Sequence, residues 1–82
     1  MKHFVIINEW TQDFENGVTV LGIAHDYEKA KIIFNNAVDK EKEIANENGW
    51  EIFEDKDMLF EAGASGCYIN NHTSVLISEV DE

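Results

Sequence analysis

The run Asp26-Tyr27-Glu28-Lys29-Ala30-Lys31-Ile32-Ile33-Phe34-Asn35-Asn36-Ala37-Val38-Asp39-Lys40-Glu41-Lys42-Glu43-Ile44-Ala45-Asn46-Glu47-Asn48-Gly49 decides the fold. Ala30, Ile33, Phe34, Ala37, Val38, Ile44 and Ala45 fall on one stripe when each residue is turned by about 100°, the mark of an amphipathic helix. Asp26 stands where an N-cap accepts a backbone hydrogen bond, and Glu28 lies where the helix dipole favours an anion. Asn48-Gly49 supplies the stop, with Gly49 at the position that takes a left-handed backbone. The spacing predicts a helix from Tyr27 to about Glu47.

On either side of this helix the period changes to two. Upstream, residues 3–10 (His3-Phe4-Val5-Ile6-Ile7-Asn8-Glu9-Trp10) send Phe4 and Ile6 one way and Val5 and Ile7 the other. That pattern predicts a central strand apolar on both faces. Thr11 to Gly17 is polar and ends in Asn16-Gly17, a strong turn signal, before a second, antiparallel strand over Val18–Ala24. Downstream, Trp50–Glu54 and Met58–Ala62 predict two short strands around Asp55-Lys56, Gly63–Gly66 a loop, Cys67-Tyr68-Ile69 a short strand, and Thr73–Val80 the last strand. Residues 1–82 read as one domain of the α+β class, an antiparallel sheet with one long helix packed on one face, in the order β-β-α-β-β-β. A helix of about 21 residues is some 32 Å long and covers one face. The first strand's second apolar face is therefore expected to be closed by a bent-over hairpin or by a second copy, a homodimer.

Charge sets the partner classes. The 82 residues carry six lysines, no arginine and seventeen carboxylates, a net charge of −11. A surface of that sign repels phosphates, and bidentate phosphate and guanine contacts lean on arginine, so direct nucleic-acid binding and anionic-membrane binding are disfavoured. The four-residue apolar run Phe4–Ile7 is too short for a signal-peptide core or a membrane span. One cysteine permits no disulfide within the chain, and with no export signal a cytoplasmic location is expected.

No catalytic constellation emerges, and no cofactor is expected. His3, His25, His72 and Cys67 are the soft metal ligands, without the close paired spacing of zinc sites. Gly63–Gly66 is followed by strand-like Cys67-Tyr68 rather than by the Lys-Ser/Thr and helix of a P-loop. Cys67 has no neighbouring cation to lower its pKa, so the chain is read as a non-enzyme. Glu41 falls about 20° from Ala30 on the helical wheel, inside the apolar stripe. It is read either as a buried carboxylate with a raised pKa, a mark of functional sites, or as a side chain reaching solvent or a lysine. Ile32, near 200°, lies opposite the stripe.

The acids are unevenly placed. Residues 26–48 hold six acids and four lysines, so the other 59 residues hold eleven acids and two lysines, a net −9. Within that part Glu51, Glu54, Asp55, Asp57 and Glu61 are opposed by Lys56, and Glu9, Asp13 and Glu15 form a second group. Nine charges on half of about 5,000 Å² give roughly one per 280 Å², within threefold of a DNA duplex. Nucleic-acid mimicry is thus permitted if the acids cluster; otherwise the charge keeps the chain soluble.

Three pieces, Phe4-Val5-Ile6-Ile7-Asn8-Glu9-Trp10, Glu47-Asn48-Gly49-Trp50-Glu51-Ile52, and Asn71-His72-Thr73 with Ile77-Ser78-Glu79-Val80, resemble a group of short acidic proteins of bacterial mobile elements and phages. The resemblance implies no substrate, cofactor or catalytic residue. It implies a setting in which small acidic proteins block host nucleic-acid enzymes. The combined expectation is a non-enzymatic binding protein that offers Glu51, Glu54, Asp55, Asp57 and Glu61 to a basic protein surface, with Trp50 as a desolvated anchor. The rival expectations are a small structural or regulatory homo-oligomer and a small-ligand binder built on Trp10, Trp50 and Tyr68.

Overall fold

A computed structural model describes residues 2–12, 15–64 and 71–81. The elements run β1 (Lys2–Gln12), β2 (Glu15–Ala24), α1 (Tyr27–Asn48), β3 (Glu51–Asp55), β4 (Leu59–Gly63) and β5 (His72–Asp81). The five strands form one antiparallel sheet in the spatial order β2-β1-β5-β4-β3, and α1 lies across one face. This is the expected α+β architecture with the expected element order. The short strand expected at Cys67-Tyr68-Ile69 lies outside the described residues.

The helix begins and ends as its sequence dictates. The Asp26 carboxylate accepts a hydrogen bond from the Lys29 backbone N–H at 2.8 Å. At the other end Gly49 adopts φ 69°, and the Trp50 N–H reaches back to the Ala45 carbonyl at 2.8 Å. Only a residue without Cβ takes that left-handed conformation freely, so Gly49 closes the helix at little cost. Ala30, Phe34, Val38 and Ala45 are buried, and Ile33 and Ala37 pack against them. Ile44, at the edge of the stripe, is 40% exposed, and Ile32 opposite it is 61% exposed.

One face of the sheet meets this stripe. Ile6, Phe60, Ala62, Val75 and Ile77 complete the core, and Phe60, Ile6 and Val75 are its largest fully enclosed side chains. Cross-strand partners share a face, so the register sorts the remaining residues. Val5 pairs with Ile23 and Ser78; Ile7 pairs with Val20 and Leu76, and Leu76 with Leu59. These rows point away from the helix. Among the described residues no hairpin folds over them, since all five strands lie in the single sheet. The expectation that β1 is covered on both sides is therefore met on one side by the described residues.

The first hairpin differs from the sequence reading. Asn16 and Gly17, expected to close the turn, are already in β2, paired with Thr11 and Trp10. Gly17 is needed for space, because a Cβ there would run into the Trp10 indole. Alternating polarity fades at this end of the hairpin, and a steric glycine in a strand reads like a turn glycine. A bulge at Leu21 shifts the β1–β2 register between Ile6 and Ile7 and lets Leu21 join Ile33 and Ala37 beside the helix. No helix among the described residues is long and apolar enough to cross a membrane.

Candidate functional site

The carboxylates separate once the strands are paired. Asp55 lies opposite Phe60, on the helix side, and its carboxylate meets Lys42 Nζ at 3.1 Å. Asp57 is exposed in the β3–β4 turn, where its backbone carbonyl accepts a hydrogen bond from the Lys31 ammonium. Trp50 is half-buried and packs against the core, so it does not stand with the other five as an exposed anchor. Glu51, Glu54 and Glu61 remain on the helix-free face.

There the register builds a row that spacing along the chain does not show. Glu54 pairs with Glu61, Glu61 with Ser74, Ser74 with Glu9, and Glu9 with Val18. Three carboxylates from β3, β4 and β1 therefore lie in one line across the sheet. Strand spacing of about 4.8 Å makes the line about 14 Å long, a length over which one DNA strand presents about four phosphates. The next row places Glu51, Gly63, His72 and Thr11 side by side. A shallow cleft of about 440 Å³ opens at this end, bordered by Glu9, Thr11, Asn16, Val18 and His72. Compensation is partial: Lys56 Nζ lies 3.1 Å from Glu54, and His72 Nε2 lies 3.7 Å from Glu61. Phe53, placed by a bulge in β3, stacks on the His72 ring at 6.4 Å between centroids.

Glu54 and Glu61 are like charges directly across a strand pair, an arrangement that costs a fraction of a kcal/mol to about 1 kcal/mol. Glu9 belongs to this row, although the sequence reading grouped it with Asp13 and Glu15. Asp13 lies outside the described residues, and Glu15 pairs with Gln12 at the far end of the hairpin. Nothing short of the β1–β5–β4 register links residue 9 to residue 61.

A second polar group sits between helix and sheet. Asn8 Nδ2 donates to Thr73 Oγ1 at 2.9 Å and to the Ser74 carbonyl at 2.8 Å. Thr73 is 3% exposed, and its hydroxyl hydrogen-bonds to the half-buried Glu41 carboxylate. With Asn8 donating to Oγ1, the hydroxyl proton is available to Glu41. Burial pushes the Glu41 carboxyl above its ordinary range, opposed by this hydrogen bond. Glu41 is thus neither fully sequestered nor paired across the helix surface; it faces the sheet and is held there by Thr73. Two clefts of about 280 and 180 Å³ meet at Asn8 and Glu41, the smaller one flanked by Trp10 and Trp50. Both are below the roughly 300–1,000 Å³ of small-molecule pockets, and Trp50 packs against the core, whereas Trp10 also lines the cleft of about 440 Å³. Tyr68, the third aromatic of that reading, lies outside the described residues.

The raised carboxyl gives a pH prediction. A group whose pKa is raised by folding stabilises the fold in its protonated form, below the ordinary carboxyl range, and that contribution is lost as pH rises through the raised value. Glu41→Gln keeps an acceptor for Thr73 and removes the charge. Its thermal midpoint should exceed that of the parent at pH 7, and the difference should shrink toward pH 4. A constant difference across this range would show that the Glu41 charge is not the cause.

Among the described residues, no three His, Cys, Asp or Glu side chains stand close enough together to hold a metal ion. Cys67 lies outside those residues. No protein-family model, curated protein or solved structure matches this chain.

Proposed function

We propose that this chain is a non-enzymatic binding protein that presents the Glu9–Glu61–Glu54 row, extended by Glu51, to a basic protein surface. The observation that carries the reading is the row itself: carboxylates from three strands, two of them directly opposed, are kept in line at a cost in stability. Stability alone favours a lysine or threonine at one of these positions. Three carboxylates in about 14 Å approach the spacing of a phosphate strand, which suits a partner that binds nucleic acid, and the chain then acts as a nucleic-acid mimic. Asp57 and Glu51 widen the field at the rim, where charges chiefly set association rate and partner choice.

The test is calorimetric titration with a 20-residue lysine- and arginine-rich peptide at low and high salt. The parent should bind at 50 mM NaCl and lose about tenfold or more by 300 mM, since the screening length shrinks from about 14 Å to about 6 Å over this range. Replacing Glu9, Glu54 and Glu61 together by glutamine should weaken binding at low salt by on the order of tenfold. Replacing Asp39, Glu43 and Glu47 on the helix by their amides removes the same charge elsewhere and should change it much less. Equal loss from both sets would assign the binding to net acidity and leave a charge that serves solubility alone.

A further inference from the structure

Both tryptophans of the chain, Trp10 on β1 and Trp50 just after α1, border the same cleft of about 180 Å³ between helix and sheet. Gly17 seats the first of them, because a Cβ there would run into the indole, so the ring lies over the β2 backbone. Trp50 is held by the bond from its N–H to the Ala45 carbonyl. Glu41 and Ile44, neighbours on one helix face, form the helix side of the cleft, and Asn8 and Thr73 the sheet side. Among the described residues Glu41 is the one carboxylate on this lining, and no lysine borders it. Thr73 hydrogen-bonds to Glu41, but no ammonium of the described residues pairs with it, although Lys40 borders the neighbouring cleft beside it. Burial raises the Glu41 carboxyl above its ordinary range, as expected of a carboxylate without a compensating cation. The last turn of α1 carries no basic residue either, so the negative end of its dipole, next to Ile44, is also uncompensated.

We infer that this cleft binds an organic ammonium head group, with Glu41 as its counter-ion and Trp10 and Trp50 as its aromatic walls. Charge, donor chemistry and size select that class. An anion is repelled by Glu41. An inorganic cation such as calcium or magnesium needs about six oxygen ligands, and they are not available here. Asn8 turns its amide N–H groups toward Thr73 and Ser74, the Thr73 hydroxyl is taken by Asn8 and Glu41, and the indoles offer no oxygen. A quaternary or alkylated ammonium asks for no such ligands. It is held by a carboxylate and by aromatic rings within about 6 Å, tryptophan being the best of them. The five heavy atoms of tetramethylammonium take roughly 150 Å³ at about 30 Å³ each, the share of a water molecule, so the head group fits where a whole cofactor does not. A bound cation also explains why Glu41 is retained where glutamine would keep the Thr73 contact at less cost in stability. The head group belongs to a free quaternary amine such as choline or to a trimethylated lysine side chain, which present the same chemistry. The inference stands apart from the proposed function, since the Glu9–Glu61–Glu54 row lies on the helix-free face.

Tryptophan fluorescence of the full chain, titrated with tetramethylammonium chloride at pH 8 and constant ionic strength, tests it, because both indoles report from the cleft. The emission should change saturably with a midpoint below about 20 mM. tert-Butanol, a neutral molecule of the same heavy-atom count, should bind at least about tenfold more weakly. Glu41→Gln should weaken tetramethylammonium binding on the order of tenfold while the fold, followed by circular dichroism, stays intact. Glu43→Gln removes the same charge from an exposed position on the helix and should change it less than about twofold. Replacing Glu9, Glu54 and Glu61 together by glutamine should also leave it within about twofold, so failure of this site and failure of the carboxylate row are seen separately. Choline titrated against a peptide carrying one trimethyllysine separates the two sources, the tighter ligand naming the source. A parent whose emission does not saturate with a midpoint below about 20 mM overturns the inference. So does an equal response to tert-butanol, or a tetramethylammonium response that Glu41→Gln leaves unchanged.

Discussion

Phe60→Ala should unfold this protein or bring it to the edge of unfolding. Phe60 is fully enclosed near the start of β4, across from Val75 and beneath the helix, with the Lys42 ammonium 5.9 Å from its ring centre. Removing a buried phenyl ring costs about 3–5 kcal/mol, because the cavity left behind collapses only in part. An 82-residue domain has about 4–12 kcal/mol of total stability to lose. Urea denaturation followed by circular dichroism should show the midpoint falling by at least about a quarter, or no cooperative transition. Phe60→Leu keeps most of the volume and should cost less than half as much. Phe53→Ala is the matching control, since Phe53 is 47% exposed on the helix-free face. At low protein concentration it should cost about 1 kcal/mol or less. A loss from Phe53→Ala that matched Phe60→Ala would mean that the helix-free face is as dry as the core.

That contrast between two phenylalanines shows how much of the fold is legible in the sequence. The helix is legible because three independent signals agree over Asp26–Gly49: an N-cap, an apolar stripe and a left-handed stop. The alternation Phe4/Ile6 against Val5/Ile7 is also legible, and the structure places those pairs on opposite faces as expected. Which of two apolar faces receives the helix is not a local property, and Val5 and Ile7 read like Ile6 until the packing is known. Phe53 and Phe60 are alike in sequence context for the same reason. The bulge that turns Phe53 toward His72 depends on pairing with β4, and no residue in Glu51–Asp55 announces it.

The candidate site was half legible. Composition located the excess of acids outside the helix, and Glu51, Glu54 and Glu61 do share a face. Asp55 looked equivalent to Glu54, but one step along a strand reverses the face and hands it to Lys42. Trp50 looked like an anchor because a tryptophan beside acids is typical of interfaces; its backbone tie to Ala45 turns it into the core instead. Glu9 was separated from Glu61 by more than fifty residues of chain, and only the order β1-β5-β4 makes them neighbours across Ser74. Strand order is set by the balance of all the pairings, so a row of this kind emerges from topology and not from spacing.

Reversing the central charge of that row should separate stability from binding. Glu61→Lys places an ammonium directly across from Glu54 and one strand beyond Ser74 from Glu9. It exchanges a like-charge pair for an attractive one on a half-exposed surface, where each such cross-strand change is worth about 0.2–1 kcal/mol. His72, at 3.7 Å from the present carboxylate, loses that neighbour, which offsets part of the gain. The net expectation is a thermal midpoint equal to or a few degrees above that of the parent at pH 8. Binding of a lysine- and arginine-rich peptide at 50 mM NaCl should fall by on the order of tenfold to a hundredfold, because an attraction at the centre of the row becomes a repulsion. The two measurements together discriminate among causes. Lower stability with weaker binding would trace the loss to damage of the sheet. Unchanged binding with higher stability would show that the Glu54–Glu61 opposition serves no partner at this site. A more stable protein that binds less well is the signature of a surface whose repulsion is kept for recognition.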